Sequence, residues 1–129
     1  MCPARGETEA LITLYVDKNF MTQHLKQITA KTRTGRHAVV IMDGAGWHQA
    51  LWVEDISNVG ILTLPPYSPE LNPIEQVWSW LRQHHLANRC FSGYDDIVEA
   101  CSIAWIDFVS DAKRVTTMCS RDWLEVRKT

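Results

Sequence analysis

The stretch "HAVVIMDGAG", residues 37–46, decides how this chain reads. From Ala38 to Met42 it is continuously apolar, without the alternation of a strand that has one wet face, and it stops at an aspartate. Such a run fits a strand buried on both faces, as in a parallel sheet covered by helices. A second run of this kind, "VGILTL", spans residues 59–64, and "WHQALWVEDIS" between the two suits a short helix. Strands alternating with helices argue for an α/β layer architecture. Asp43 then stands at the carboxyl end of a central strand, the edge where ligands and catalytic groups gather in open α/β sheets. The glycines of "GAG" let the backbone turn sharply beside a ligand. The competing reading is that Asp43 caps the helix that follows.

Working outward, "EALITLYVD", residues 9–17, has the composition of a strand. In "NFMTQHLKQITAK" the apolar residues Phe20, Met21, Leu25 and Ile28 fall three and four apart, which predicts an amphipathic helix opening near Asn19. "TRTGR" is a turn with Gly35 as its joint. From Pro73 a helix puts Ile74, Val77, Trp78 and Leu81 on one face. A second, over about residues 94–109, puts Ile97, Cys101, Ala104, Trp105 and Phe108 inward. The last twenty residues, with Val115, Met118, Trp123 and Leu124 among charges, are expected to fold back as a lid or short helix.

"LPPYSPELNPIEQVW", residues 64–78, holds Pro65, Pro66, Pro69 and Pro73, four of the chain's five prolines. With Asn72 as N-cap and Pro73 at the first helical position, Glu75 becomes a capping-box residue that reaches back to the Asn72 N–H. The prolines restrict the approach to that helix and lower the entropy cost of ordering it. Such rigidity also suits a carboxylate held for a metal. Capping and metal binding compete for the same oxygens.

Taken together, "VVIMDGAGWH" and "LPPYSPELNPIEQVWSWLR" closely resemble the catalytic domain of DDE transposases, specifically bacterial insertion-sequence enzymes of the mariner-like superfamily. The resemblance runs from about "GETEA" through "RCFSGYDDIVEA" to the tryptophan near the end. It implies a ribonuclease-H-like fold, shared with retroviral integrases, in which acidic residues bind two Mg²⁺ or Mn²⁺ ions and cut and rejoin DNA at transposon ends. By motif, Asp43 matches the family's second acid and Glu75 its third. His48 matches a histidine of the "GAGWH" stretch; Tyr67, Ser68 and Pro69 match the loop before the third acid.

The first family aspartate, on an opening strand, and the amino-terminal helix-turn-helix have no counterpart here, and Asp17 is no substitute. Residues 1–129 are therefore expected to form a single carboxyl-terminal portion of the catalytic domain, lacking the opening strand or two and inactive alone. The strand at residues 9–17 would then be an exposed edge that drives self-association.

Other classes remain open. A DNA-binding or assembly module would use Lys26, Lys31, Arg33, Arg36 and His37, or Arg82 and Arg89, against phosphates. An inert folded remnant would bind neither metal nor DNA. Trp78 and Trp105 are expected in the core, Trp80 outside it, and Trp47 flanking the cleft. His84 and His85, being adjacent, do not form a metal pair.

The 129 residues are 46% hydrophobic and 22% charged, a globular composition, and a formal net charge of −2 gives no whole-molecule pull toward nucleic acid. Cys2, Cys90, Cys101 and Cys119 form no CxxC pair and read as free thiols of a reducing compartment, with Cys101 a small buried hydrophobe. No apolar leader or membrane-length run occurs, so the expectation is a cytoplasmic protein without a membrane partner.

Overall fold

A computed structural model describes residues 1–44 and 56–124, and the chain divides into two compact units. One unit is Glu9–Asn72; the other joins Met1–Thr8 to Pro73–Thr129.

In the first unit, helix α1 spans Lys18–Lys31. It opens one residue before Asn19 because Asp17 is its N-cap: the Phe20 N–H donates to Asp17 Oδ1 at 2.9 Å. It closes at Thr32, whose N–H reaches the Ile28 and Thr29 carbonyls, while Lys31 in the last turn complements the helix dipole and pairs with Glu9 at 2.8 Å. Gly35 turns the chain with φ of 78°, a left-handed value that suits glycine.

Strand β1, Ala38–Met42, then pairs in parallel with β2, Val59–Thr63, in the register Ala38↔Val59 through Met42↔Thr63. The ladder is extended at both ends, from the Ala38 N–H to the Asn58 carbonyl and from the Leu64 N–H to the Met42 carbonyl, each 2.8 Å. Asn58 Nδ2 also donates to the Thr29 carbonyl at 3.3 Å, which ties the sheet to the end of α1. Leu25, Met42, Val59 and Leu64 are buried.

Two expectations fail in this unit. Residues 9–17 form no strand; Leu14, Tyr15 and Val16 are 60–70% exposed, and β-forming side chains without a partner strand have no ladder to join. The β1 run is not buried on both faces either. Val39 is 62% exposed and Leu62 48%, because the described sheet has two strands and one face open. The helix expected over residues 47–57 falls mostly outside the described residues.

The second unit is helical. Helix α2, Ile74–Leu81, widens into a π turn over Arg82–Leu86, where the Ala87 N–H reaches back five residues to the Arg82 carbonyl at 2.7 Å. Asn88, at φ of 58°, ends it. Helices α3, Tyr94–Val109, and α4, Ala112–Cys119, follow, with Asp111 capping α4 through the Arg114 N–H at 3.1 Å. Residues Asp122–Leu124 add one 3-10 turn, so the carboxyl-terminal stretch does fold as short helix.

Val77, Leu81, Ala104, Phe108, Val115 and Cys119 make one closed core. The amino terminus joins it. Residues 2–7 form a tight loop, with the Cys2 N–H donating to the Glu7 carbonyl at 2.7 Å, and the Cys119 thiol meets Met1 Sδ at 2.8 Å. Gly6 has φ of 67°, and a Cβ there would lie 2.7 Å from the Ala112 carbonyl oxygen, so only glycine fits.

Here too the expected faces shift. Trp80 is half-buried against Phe108, with ring centroids 5.3 Å apart, while Trp78 is 46% exposed. Both flank the Val77–Leu81 stripe, and Phe108 of α3 meets the Trp80 side of it. Trp105 is half-buried against the core, as expected, but Ile97 is exposed, and the buried thiol is Cys119 rather than Cys101. No described helix is long and apolar enough to cross a membrane.

Candidate functional site

Asp43 leaves the carboxyl end of β1 and is exposed. Since β1 and β2 are parallel, the chain after β2 leaves by the same edge: Leu64 bonds Met42, the residue before Asp43. The proline loop therefore starts beside this acid, at the sheet edge where α/β folds place their chemistry. A Cβ at Gly44 would meet Thr63 Cγ2 at 3.6 Å, an ordinary contact, so none of the described residues around this position demands glycine. Trp47 and His48 lie outside the described residues.

The proline loop is built on Leu64, which is 6% exposed. Pro66 and Tyr67 are the central pair of a turn. Tyr67 has φ of 57° and its side chain is 101% exposed. Proline before a residue of positive φ is the pattern of a type II turn, whose third position favours glycine or asparagine. Ser68 Oγ donates to the Pro66 carbonyl at 3.3 Å, and a 3-10 turn over Pro69–Leu71 closes with the Leu71 N–H on the Ser68 carbonyl at 3.1 Å.

Glu75, in the other unit, is exposed in the first turn of α2. The expected capping box does not form. Asn72 has extended backbone and ends the 3-10 turn, and α2 begins at Ile74 with Pro73 at the N-cap, which carries no capping side chain. Glu75 thus moves one position toward the helix start. Its carboxylate is still favoured there by the helix dipole, by about 0.3–1 kcal/mol. The oxygens are no longer committed to a cap.

Carboxylate oxygens are the hard donors that a magnesium-type cation takes. Among the described residues, however, no three His, Cys, Asp or Glu side chains gather as a metal site. Asp43 and Glu75 are the acids that the motifs single out, and they belong to different units.

The basic candidates differ in freedom. Lys26, Arg33, Arg36 and His37 are exposed on α1 and the turn after it, whereas Lys31 is paired with Glu9. Arg82 is exposed at the start of the π turn. Arg89 bonds the His85 carbonyl at 3.4 Å and lies over the Phe91 ring.

One cluster was not foreseen. The Trp80 ring stacks on His84 at 4.3 Å and has the Arg114 guanidinium 4.6 Å from its centre, while His85 pairs with Asp107 at 2.6 Å. The two adjacent histidines do point to different partners. The Trp80–His84 stack is an i,i+4 pair, whereas the Arg114 and Asp107 contacts join α2 to α4 and the π turn to α3 and have no signal in local spacing.

Against this geometry, residues 1–98 match the family described as DDE superfamily endonuclease. The chain belongs to that family. The match includes β1, the proline loop, Asp43 and Glu75, and it supports a DDE transposase-type domain. The family generally uses divalent metals and acts on DNA. The chain is also similar to the uncharacterized protein y4pE/y4sA of Sinorhizobium fredii (strain NBRC 101917 / NGR234). The two are 40% identical over 123 residues, which cover 95% of this chain and 91% of that protein. No solved structure matches.

Proposed function

We propose that this chain is part of the catalytic domain of an insertion-sequence transposase of the mariner-like type, with ribonuclease-H-like architecture. Asp43 serves as the second acid and Glu75 as the third. The observation that carries the proposal is the family match across both motifs, with Asp43 at the carboxyl edge of a parallel strand pair.

Their carboxylates would hold Mg²⁺ or Mn²⁺, and the ion would supply Lewis-acid activation for cutting and rejoining phosphodiesters. The chain's own contribution is to present the two acids from rigid starts: Asp43 from the end of the sheet ladder, and Glu75 from a helix turn preceded by prolines. Two carboxylates by themselves hold an ion weakly, so on Asp43 and Glu75 alone little or no cleavage of DNA is expected. The test is nicking of supercoiled DNA in Mn²⁺ by the purified chain. The expected result is no cleavage above background; nicking that disappears in Asp43→Asn would contradict it.

A DNA-binding module is the second reading, favoured by exposed Lys26, Arg33 and Arg36. It predicts salt-sensitive binding that ignores metal and survives both acid substitutions. Self-association remains part of the proposal on new grounds. The open sheet face with Val39 and Leu62 replaces the expected edge strand as the surface to cover. Light scattering should show a dimer or larger assembly that Val39→Lys weakens, and a monomer at high concentration would count against it.

A further inference from the structure

Tyr67 combines three features that folding alone does not explain. Its backbone sits at φ of 57°, in a turn position where glycine is favoured and a bulky side chain is strained. Its ring is 101% exposed, so no packing within the chain offsets that strain. Its loop is nonetheless held firm, by buried Leu64 on one side, by Pro65, Pro66 and Pro69, and by the Ser68 hydroxyl on the Pro66 carbonyl. Strain kept at an exposed position of a rigid loop points to a role outside the fold. The loop also leaves the sheet edge beside Asp43, within the same unit.

We infer that Tyr67 is a stacking platform for an unpaired DNA base next to the Asp43 edge. The inference rests on the proposed action on DNA and deepens it. In a duplex the base faces are covered by their neighbours, and only a frayed end, an overhang or a displaced base offers a free π-face. A tyrosine ring with both faces in solvent matches that surface. Stacking of this kind is tolerant of sequence and strong enough to select a DNA structure. The left-handed turn is what carries the ring out from the loop, which accounts for tyrosine where glycine would be easier.

The test uses the full chain without divalent metal, so that binding is read apart from cleavage. The probes are a duplex with a one-nucleotide 3′ overhang of 2-aminopurine and the matching blunt duplex. Wild type should prefer the overhang by about 5- to 100-fold and quench its fluorescence. Tyr67→Ala and Tyr67→Gly should lose both preference and quenching, while Tyr67→Phe keeps both. Because the ring is wholly exposed, these variants should fold, and circular dichroism checks it. Equal wild-type binding to both probes would overturn the stacking role and leave DNA action standing. So would a Tyr67→Phe loss as large as that of Tyr67→Ala, which would assign the contact to the hydroxyl. Failure to bind either probe would overturn this inference together with the DNA reading beneath it.

Discussion

The two units of this chain solve the problem of a small core differently. The helical unit closes its core: Val77, Phe108, Val115 and Cys119 are completely buried, and the amino terminus packs into the same cluster at Cys119. The strand unit buries Leu25, Met42, Val59 and Leu64 but leaves Val39, Leu62 and most of residues 11–16 exposed. Among the described residues, the unit that contains Asp43 is thus the less closed one. The helical unit has the packing to be stable by itself, whereas a two-stranded sheet with one open face is marginal without further cover.

The largest effect that can break this comparison is in the helical core. Phe108→Ala should cost about 3–5 kcal/mol, and Val39→Ala, at an exposed position, no more than about 0.5 kcal/mol. Denaturant melts of both variants check this. Native-state hydrogen exchange sharpens it. Amides of α3 should exchange more slowly than those of β1 and β2, and equal protection would erase the distinction.

A smaller effect concerns Cys119. Burial raises its thiol above the ordinary value, and the positive amino terminus and Arg121 offset part of that. A thiol raised in the folded state stays neutral while the unfolded chain ionises. Its contribution to stability is therefore complete below about pH 8.5 and is lost as pH rises beyond that value. The stability gap between wild type and Cys119→Ala should narrow from pH 7 to pH 10, as read by urea midpoints. A constant gap would show that the thiol does not titrate with unfolding.

A further small effect lies in the strand unit. Tyr67→Gly relieves a left-handed backbone and should stabilise the chain by about 0.5–1 kcal/mol, visible as a rise in Tm. A destabilised Tyr67→Gly would mean that the tyrosine makes contacts which its exposure does not show.

How far the sequence revealed these units also differs. The strands β1 and β2 were legible because each is an apolar run bounded by turn residues, and α3 because its period is regular over sixteen residues. Residues 9–17 misled because strand composition does not supply a pairing partner. The faces of α2 were ambiguous by one position: Trp78 and Trp80 flank the same stripe, and only the placement of Phe108 decides between them. Asp43 and Glu75 were legible as motif residues. Glu75's release from the capping box was not, because it depends on where the 3-10 turn ends and α2 begins. The packing of residues 1–8 onto the last helices has no local signal beyond Gly6.

The most direct test of the proposal that Asp43 and Glu75 are both metal ligands is calorimetric titration of the chain with Mn²⁺. Wild type should bind saturably, if weakly. Asp43→Asn and Glu75→Gln should each reduce that binding, and the double variant should lose little more than either alone, as coupled ligands do. Absence of saturable binding, or reductions that simply add as at independent sites, would contradict the proposal and leave each carboxylate an acid at the end of its own element.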